Sequence, residues 1–306
     1  MRASLPFQPI DLREELNDWL IQLRGQRKSP RTMEGYSVAV RAFLRWCEAE
    51  DIPQELTKEK VVAFMAARTG QASTARLQLT VLKLFAKWLA GEYPEKFDAT
   101  PVLLIKHPKT DERVVPDLSE DEVQRMIRAC SGSALRDKRD RALLALFAET
   151  GLRAAEMLSL DVGDIDVVNC IVHVHRGKGG KGRRVSFSPG CAAALNTYRK
   201  ARRAAGLTSD DGPLFVSERG GRRLSYTGLR GTLGERAADA GVVGFHVHRL
   251  RHSHAVRWIA AGGSEASLMS RSGWSSRTQI DRYVRAASEK LAAQEFERLN
   301  LGVLEA

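Results

Sequence analysis

A histidine- and arginine-rich segment, residues 246–254, holds side chains well suited to handling a phosphate ester. On a helix, His248 would lie beside Arg251 and His252, three and four residues further on. An arginine fork can hold two phosphoryl oxygens, and a histidine can move a proton near neutral pH. His248 and His252 also have the spacing of a zinc-binding pair, but Arg249 stands where that motif needs a glutamate. The segment therefore indicates phosphate chemistry rather than a metal site.

A further basic residue stands at a turn between two predicted helices. The apolar run that begins at Leu143 ends near Gly151, and a new helix follows, which puts Arg153 at the junction. Glu156 lies three residues on, where a helix places it on the same face as Arg153. Taken alone, this pair fits a salt bridge at a helix end as well as an anion-binding site.

A third candidate is Lys178, at the tip of a predicted β-hairpin. Alternating apolar residues at 172–174 and 185–187 flank a basic, glycine-rich turn, which is the pattern of two paired strands. Because its glycine neighbours leave it uncrowded, Lys178 could approach a phosphate closely. It could equally be an exposed charge on a hairpin turn.

Two aromatic residues complete the set. Trp274 and Tyr283 lie nine positions apart in the last basic stretch of the chain, and Tyr283 stands close to Arg282 and Arg285. A tyrosine hydroxyl has a pKa of about 10, so it attacks at neutral pH only with a base or cations nearby. In isolation, Tyr283 also fits a position on a surface helix.

The order of these motifs is more specific than any one of them. Within one region the chain carries, in this order, Arg153, Lys178, His248, Arg251, Trp274 and Tyr283. In this ordered set the chain resembles the tyrosine recombinase family, also called the lambda-integrase family, which has Xer-like members. The resemblance covers essentially the whole chain and is to the simple two-domain type, without an arm-binding domain.

The resemblance implies how the phosphate would be held and attacked. Tyr283 would attack a DNA phosphodiester, leaving a 3′-phosphotyrosine and a free 5′-hydroxyl. Arg153 and Arg251 would hold the non-bridging oxygens of that phosphate, and Glu156 would support them. The enzyme would thus be a site-specific DNA recombinase that breaks and rejoins strands.

The resemblance also implies the proton transfers. Lys178 would protonate the leaving 5′-oxygen, and His248 would act as acid and base on the tyrosine hydroxyl. Trp274 would fill the place where most members carry a second histidine; an indole donates one hydrogen bond but cannot shuttle a proton. No metal or other cofactor is implied, because the energy of the broken bond stays in the phosphotyrosine.

Apolar patterning predicts the elements that must position these residues. Helical spacing predicts four helices in the N-terminal third, with starts that include Ser29-Pro30, Thr57 and either Ser73 or Thr74. Prolines interrupt the next stretch, and a capping-box pattern begins at Ser119. We therefore predict a mainly α protein with a small β-sheet (α+β). By the resemblance, it comprises a helical, SAM-like core-binding domain (residues 1–105), a linker (106–116) and a tyrosine-recombinase catalytic domain with a C-terminal tail helix (117–306).

The positive charge is concentrated around the candidate residues. The chain of 306 residues has a formal net charge of +11, and residues 171–285 carry 21 basic and 7 acidic side chains. Such a block fits binding to nucleic acid, or a solvated basic face. The resemblance implies double-stranded DNA recombination sites as partners, a homotetramer on DNA, and accessory excision or host factors. Candidate DNA contacts are Arg31, Arg76, Lys83, Lys181, Arg183 and Arg184.

Composition narrows the cellular setting. The longest apolar run, Ala142 to Ala148, is far shorter than the roughly 20 residues of a membrane span. The four cysteines are scattered, which is typical of reduced thiols rather than a disulfide framework. We predict a cytoplasmic, nucleoid-associated protein.

Several functions remain open at this point. Integration and excision of a phage or mobile element is one, and Xer-type resolution of chromosome or plasmid dimers is another. The Ser272-Gly273-Trp274 segment departs from the usual Leu-Gly-His of the family and favours the mobile-element role. A type IB topoisomerase-like enzyme shares the chemistry, and a catalytically inactive DNA-binding regulator could share the fold.

Overall fold

The computed structural model describes residues 10–109, 116–175, 182–209, 211–218 and 220–300. The chain divides into two compact units, Met1–Arg113 and Val114–Ala306. This division falls within the stretch predicted as a linker, residues 106–116. The two domains with the boundaries given above stay a prediction.

The first unit is helical. Ser29 and Thr57 each accept a hydrogen bond from a backbone N–H three residues on, which caps α2 (Pro30–Ala49) and α3 (Lys58–Ala66) as predicted. The fourth helix begins two or three residues earlier than predicted, after Gln71 and without a side-chain cap. Ala75, in its first turn, is buried. The helices are α1 (Leu12–Gly25), α2 (Pro30–Ala49), α3 (Lys58–Ala66), α4 (Ala72–Glu92) and the short α5 (Thr100–Leu103).

An aromatic cluster holds these helices together. The Trp19 ring of α1 stacks on Tyr36 of α2, with centroids 5.4 Å apart, and contacts Phe85 of α4. Phe43 and Phe64 meet edge to face at 5.5 Å. Buried pairs of this kind contribute about 0.5–1.5 kcal/mol beyond their burial. The N-terminal aromatic residues are therefore core residues.

The second unit is a helical body with one small sheet. Its described strands, β1 (Ile165–Asp166), β2 (Ile171–Val174) and β3 (Arg183–Ser186), pair antiparallel in that order, with Val172 opposite Val185. The capping box at Ser119 and the two hairpin strands are as predicted, whereas the two-residue β1 has no sequence signal. The elements are α6 (Glu120–Arg128), α7 (Leu135–Thr150), α8 (Ala154–Ser159), a 3₁₀ helix (Val162–Asp164), β1 (Ile165–Asp166), β2 (Ile171–Val174), β3 (Arg183–Ser186), α9 (Pro189–Ala204), α10 (Tyr226–Asp239), α11 (Val247–Ala260), α12 (Glu265–Ser272) and α13 (Thr278–Arg298).

Helix α11 runs through the core of this unit and is buried on most of its surface. Five of its polar residues, Arg249, Arg251, His252, Ser253 and His254, are therefore inside the protein. A second cluster, built on Ala255, Ile259, Leu268 and Ile280, packs α12 and α13 against it. This packing sets where the two ends of α12 and the N-terminal half of α13 lie.

A buried ion network reinforces the same unit. Asp140 is fully buried, and its carboxylate contacts the guanidinium groups of Arg139 and Arg236 at 2.8 and 2.9 Å. Arg236 also binds Asp137. The network joins α7 to α10, because its members come from both helices.

The structure confirms the predicted fold class, a mainly α protein with a small sheet. Helix α13 continues to Arg298, within the stretch for which a tail helix was predicted. Leu291 packs on the core, while Phe296 and Leu299 are exposed. Among the described helices, none has both the length and the apolar character needed to cross a bilayer.

Candidate active site

A glycine turn places the first arginine of the site. Helix α7 ends at Gly151, which adopts a left-handed conformation with φ of 60°. A Cβ atom there would lie 2.4 Å from the Cδ2 atom of His254, so only glycine allows α11 to approach this closely. Leu152 is buried behind the turn and Arg153 follows as the residue before α8. The turn therefore places Arg153 close to α11.

Arg153 and Glu156 form the predicted same-face pair. The Arg153 Nη1 atom donates to Glu156 Oε1 at 2.9 Å, and the Arg153 backbone N–H donates to Oε2 at 2.8 Å. The second Nη atom of Arg153 donates to the carbonyl oxygen of Gly273 at 2.8 Å. A third of the Arg153 side chain remains exposed. The pair thus fixes the guanidinium and leaves part of it accessible to a ligand.

Arg251 is the most deeply buried cation of the site, with 3% of its surface exposed. Its Nη1 and Nη2 atoms donate to the carbonyl oxygens of Gly151 at 2.6 Å and Ser272 at 2.9 Å. Burial, together with the positive charge of Arg153, lowers the pKa of Arg251 to about 10. It is still protonated at neutral pH, and two carbonyls fix its plane.

The two aromatic residues stack on each other beside this arginine. The rings of Trp274 and Tyr283 are 4.9 Å apart and nearly parallel, and the Arg251 Cζ atom lies 5.0 Å from the Trp274 ring. Tyr283 is only 7% exposed, and the ring of His252 lies 5.1 Å from it. Tyr283 is thus a buried residue, which rules out the simple surface position that its sequence also allowed.

His248 lies one turn before Arg251 and His252 on α11 and is exposed. Together with Arg251 it lines a pocket of about 70 Å³, to which Tyr226 of α10 also contributes. The helix therefore carries His248 and Arg251 to one opening, as the three-residue spacing predicts.

Lys178 and Lys181 lie outside the described residues, although the two strands that lead to them, β2 and β3, are described. Strand β3 contacts α12 and reaches the site through Arg183. The Arg183 guanidinium forms a two-pronged contact with Glu156, Nη1 to Oε1 at 3.0 Å and Nη2 to Oε2 at 2.8 Å.

Glu156 is therefore held by two arginines. Burial alone would raise its pKa, but the hydrogen bonds from Arg183 and Arg153 outweigh burial and lower the pKa below its ordinary value. The side chain is a carboxylate at neutral pH and is 5% exposed.

The remaining candidate DNA contacts differ in their surroundings. In the first unit, Arg31 and Arg76 are exposed. Lys83 is half-buried and donates to the carbonyl oxygen of Ile105, and burial lowers its pKa. In the second unit Arg184 is exposed, whereas Arg183 is turned inward. Contact of these residues with DNA stays a prediction.

Three residues that the sequence did not assign belong to this cluster: His252, His254 and Gly273. His252 and His254 follow Arg251 on a buried helix. Burial and, to a smaller extent, the positive charge of Arg271 lower the pKa of His254 to about 3, so its ring is neutral. The backbone carbonyl of Gly273 accepts a hydrogen bond from Arg153. Across the described part of the chain, no three His, Cys, Asp or Glu side chains are grouped as a metal ion would need.

The chain is similar to known proteins over most of its length. The sequence model of the phage integrase family matches residues 116–290, and that of the phage integrase N-terminal SAM-like domain matches residues 16–95. A tyrosine recombinase XerC from Bacillus pumilus is 29% identical over 273 residues, covering 86% of this chain and 88% of the relative. A tyrosine recombinase XerC from Shewanella amazonensis is 33% identical over 216 residues, covering 69% of this chain and 70% of the relative.

Solved structures share the fold. The XerH site-specific recombinase in a post-cleavage complex with palindromic difH substrate aligns with a TM-score of 0.73 at 18% identity, over 92% of this chain and 83% of that chain. A lambda integrase tetramer bound to a Holliday junction aligns with a TM-score of 0.69 at 18% identity, over 90% and 77% of the two chains.

Proposed function

This chain belongs to the phage integrase family of tyrosine recombinases, and from that premise we propose that it cleaves and rejoins DNA through a 3′-phosphotyrosine on Tyr283. The observation that carries the proposal is the convergence of Arg153, Arg251, Trp274 and Tyr283. These residues come from four separate segments and meet through direct contacts around the end of α12. A structural ion pair would not require the tyrosine beside it.

The cleavage step is an in-line displacement at phosphorus. The Tyr283 hydroxyl oxygen attacks the phosphodiester, and its proton passes to His248. An O–P bond to the tyrosine forms as the bond from phosphorus to the 5′-oxygen breaks, and Lys178 donates a proton to that oxygen. Reversal by a 5′-hydroxyl of another strand restores the tyrosine and joins the new strand. No nucleotide is consumed, because one phosphoester replaces another.

The two arginines supply the electrostatic part of the rate enhancement. The transition state carries more negative charge on its non-bridging oxygens than the ground state does, so fixed cations stabilise it preferentially. Arg251 is held by two carbonyls and Arg153 by Glu156 and one carbonyl. Neither side chain needs to reorganise when the phosphate binds. Removing one such fixed donor typically costs about 100- to 1,000-fold in rate.

Trp274 serves this step by packing. Its ring lies against both Tyr283 and Arg251, so it sets the distance between the nucleophile and the cation. Its indole N–H is available to donate to a phosphate oxygen, as the second histidine of other members would be. We therefore infer that Trp274 acts mainly by orienting Tyr283 and Arg251 and that it transfers no proton.

Double-stranded DNA recombination sites are the proposed partner, bound by a homotetramer. The concentration of basic residues in 171–285 supports DNA binding, and the lambda integrase neighbour is a tetramer on a Holliday junction. Accessory excision or host factors would act on this assembly. A cytoplasmic, nucleoid-associated location follows from such a partner.

Two biological roles use this chemistry. The Ser272-Gly273-Trp274 segment favours integration and excision of a mobile element. The relatives named tyrosine recombinase XerC favour Xer-type dimer resolution. Mapping the covalent adducts of the protein along its host genome separates them: adducts at the ends of an element support the first role, and adducts at a single chromosomal site support the second.

Covalent capture of DNA tests the proposed chemistry. Duplexes are selected from a random-sequence library by binding to the purified chain, and denaturing gels then reveal protein joined to DNA. Wild type should form the adduct and Tyr283→Phe should bind the same duplex without forming it. An adduct with both proteins, or with neither, would refute the proposal. Relaxation of any supercoiled plasmid would favour a topoisomerase, and salt-sensitive binding without cleavage would favour a regulator.

A modified duplex tests the role of Lys178. When sulfur replaces the scissile 5′-oxygen, the leaving group is a thiolate with a pKa near 8.5 and needs no proton. Lys178→Ala should lose adduct formation on ordinary DNA and regain it on this duplex. Arg153→Ala is the matched control and should not be rescued, because its charge acts on different oxygens. Equal rescue of both variants would contradict the assignment of Lys178 as the acid.

A further inference from the structure

The C-terminal end of α12 holds three arginines at once. The backbone carbonyls of residues 271–273 accept hydrogen bonds, in chain order, from Arg183 Nε at 2.8 Å, Arg251 Nη2 at 2.9 Å and Arg153 Nη2 at 2.8 Å. The last carbonyls of a helix have no partner within the helix and carry the negative end of its dipole. We call these three carbonyls the arginine cradle. Two of its three occupants are the proposed phosphate-binding residues, and the third, Arg183, is not.

Glu156 links the third arginine to the first. It accepts from both Nη atoms of Arg183 and from Nη1 of Arg153. The Nε, Nη1 and Nη2 atoms of Arg183 therefore all donate hydrogen bonds within the protein, and only 10% of the side chain is exposed. A guanidinium in this position cannot reach out to a DNA phosphate without breaking three hydrogen bonds.

Gly273 lets the arginines approach the backbone. It adopts a φ of 63°, and a Cβ atom there would lie 2.9 Å from Arg183 Nη1 and 3.2 Å from Arg153 Nη1. Any side chain would push one guanidinium away from the cradle. The close approach is thus built into the backbone at this residue.

We propose that Arg183 is a positioning residue for the recombination reaction. It ties Glu156 to the end of α12, so that Arg153 and Arg251 are held in one fixed relation to each other. It also offsets the carboxylate charge: three arginines and one glutamate leave the cluster with two positive charges. The transition state of a phosphodiester displacement approaches two negative charges. This inference rests on the proposed function, and it replaces direct DNA contact as the role of Arg183.

The neighbouring residue provides a matched control. Arg184 follows Arg183 in β3. It is exposed, whereas Arg183 is turned inward, because alternate residues of a strand face opposite sides. Arg183→Met and Arg184→Met each remove one positive charge from this strand. Adduct formation is measured under single-turnover conditions on the selected duplex, and the dissociation constant is measured with the Tyr283→Phe background to prevent cleavage.

We expect Arg183→Met to slow adduct formation by about 100-fold, the cost of a misplacement of about 1 Å in a catalytic group. Its dissociation constant should stay within about threefold of the parent, whereas Arg184→Met, at an exposed candidate DNA contact, should raise the dissociation constant. A rate within threefold of wild type, or a loss of affinity that accounts for the slower reaction, would overturn the proposal. If Arg183→Met does not fold, Arg183→Lys is used, since lysine keeps the charge but cannot form the fork.

A duplex with an uncharged group at the scissile position distinguishes a role of Arg183 in positioning the other arginines from a general loss of protein stability. A duplex with methylphosphonate at the mapped scissile position lacks one anionic oxygen, so it depends less on the two arginines. The defect of the Arg183 variant should shrink to less than about tenfold on this duplex. A defect of unchanged size would overturn the proposal. If wild type forms no adduct with ordinary DNA, the proposed function itself is refuted, and the proposed role of Arg183 is refuted with it.

Discussion

Replacing Glu156 by glutamine should destabilise the second unit of the chain and remove part of its acid sensitivity. The carboxylate is 5% exposed and accepts four hydrogen bonds, two on each oxygen. Glutamine keeps one acceptor oxygen and turns an amide N–H₂ toward the donors that the other oxygen served. Those donors are the Arg153 backbone N–H and the Arg183 Nη2 atom. Both would face another donor in a buried site.

The size of the effect follows from these contacts. A hydrogen bond to a charged group contributes about 1.5–3 kcal/mol, so losing two costs about 3–6 kcal/mol. A second estimate gives a similar value, because removing one partner of a buried ion pair costs about 3–5 kcal/mol of folding free energy. Arg153 is one-third exposed, and water there takes up part of its charge. We therefore expect a loss of about 3 kcal/mol, near the lower end of both ranges.

The pH dependence has a definite sign. The pKa of Glu156 is lower in the folded chain than its unfolded value of about 4.3. Its stabilising contribution is therefore complete above the unfolded pKa and is lost as the pH falls through the lower folded pKa. The difference in stability between wild type and Glu156→Gln should narrow between pH 6 and pH 3.

Hydrogen exchange followed by mass spectrometry is the suitable assay, because it reports the two units separately. Glu120→Gln is the control, since Glu120 is exposed at the start of α6 and such changes stay within about 0.5 kcal/mol. The reasoning is refuted if Glu156→Gln loses less than about 1 kcal/mol of protection in the second unit. If the difference in stability between wild type and Glu156→Gln stays the same from pH 6 to pH 3, the assigned pKa shift is refuted.

Three further predictions concern neighbouring residues. His254, with a pKa of about 3, should show no titration of its ring by NMR between pH 5 and 8. Asp140→Asn should destabilise the second unit by about 3–5 kcal/mol in hydrogen exchange, because it breaks a fully buried ion network. Trp274→Phe should keep adduct formation within about tenfold of wild type, and Trp274→Ala should not, because a phenyl ring can still stack on Tyr283 and lie near Arg251.

Each of these predictions has an outcome that contradicts it. A midpoint near pH 6.5 for His254 would mean that the ring is not buried as described. Unchanged protection in Asp140→Asn would show that the ion network adds nothing over a neutral side chain; the first unit serves as its internal control. Equal loss of activity in both Trp274 variants would point to the indole N–H rather than to ring packing.

The fold was largely predictable because its local signals agree with its packing. Ser29-Pro30, Thr57 and Ser119 begin helices where their side chains predicted, since capping is a contact between residues three apart. The start of α4 was misplaced by two or three residues, because no side-chain cap marks it. Strand β1 is only two residues long and is formed by pairing with β2, which no local pattern reveals.

The site was predictable as a set of residues and not as an arrangement. The alternation of the hairpin carries a further signal, because it places Arg183 on the same face as the apolar Val185 and Phe187. That alternation indicates an inward arginine rather than a DNA contact. It does not reveal what Arg183 meets there, because Glu156 is 27 residues away along the chain.

The sequence by itself determined which chemical groups are present, their order, and the helices and hairpin that carry them. Those properties depend on residue types and on neighbours within one or two turns. Only the tertiary structure decided that Tyr283 is buried against Trp274, and that three arginines share the end of α12. Such contacts join segments up to 120 residues apart. They form because folded backbone leaves carbonyls without partners, and the arginines that reach them are chosen by packing rather than by spacing.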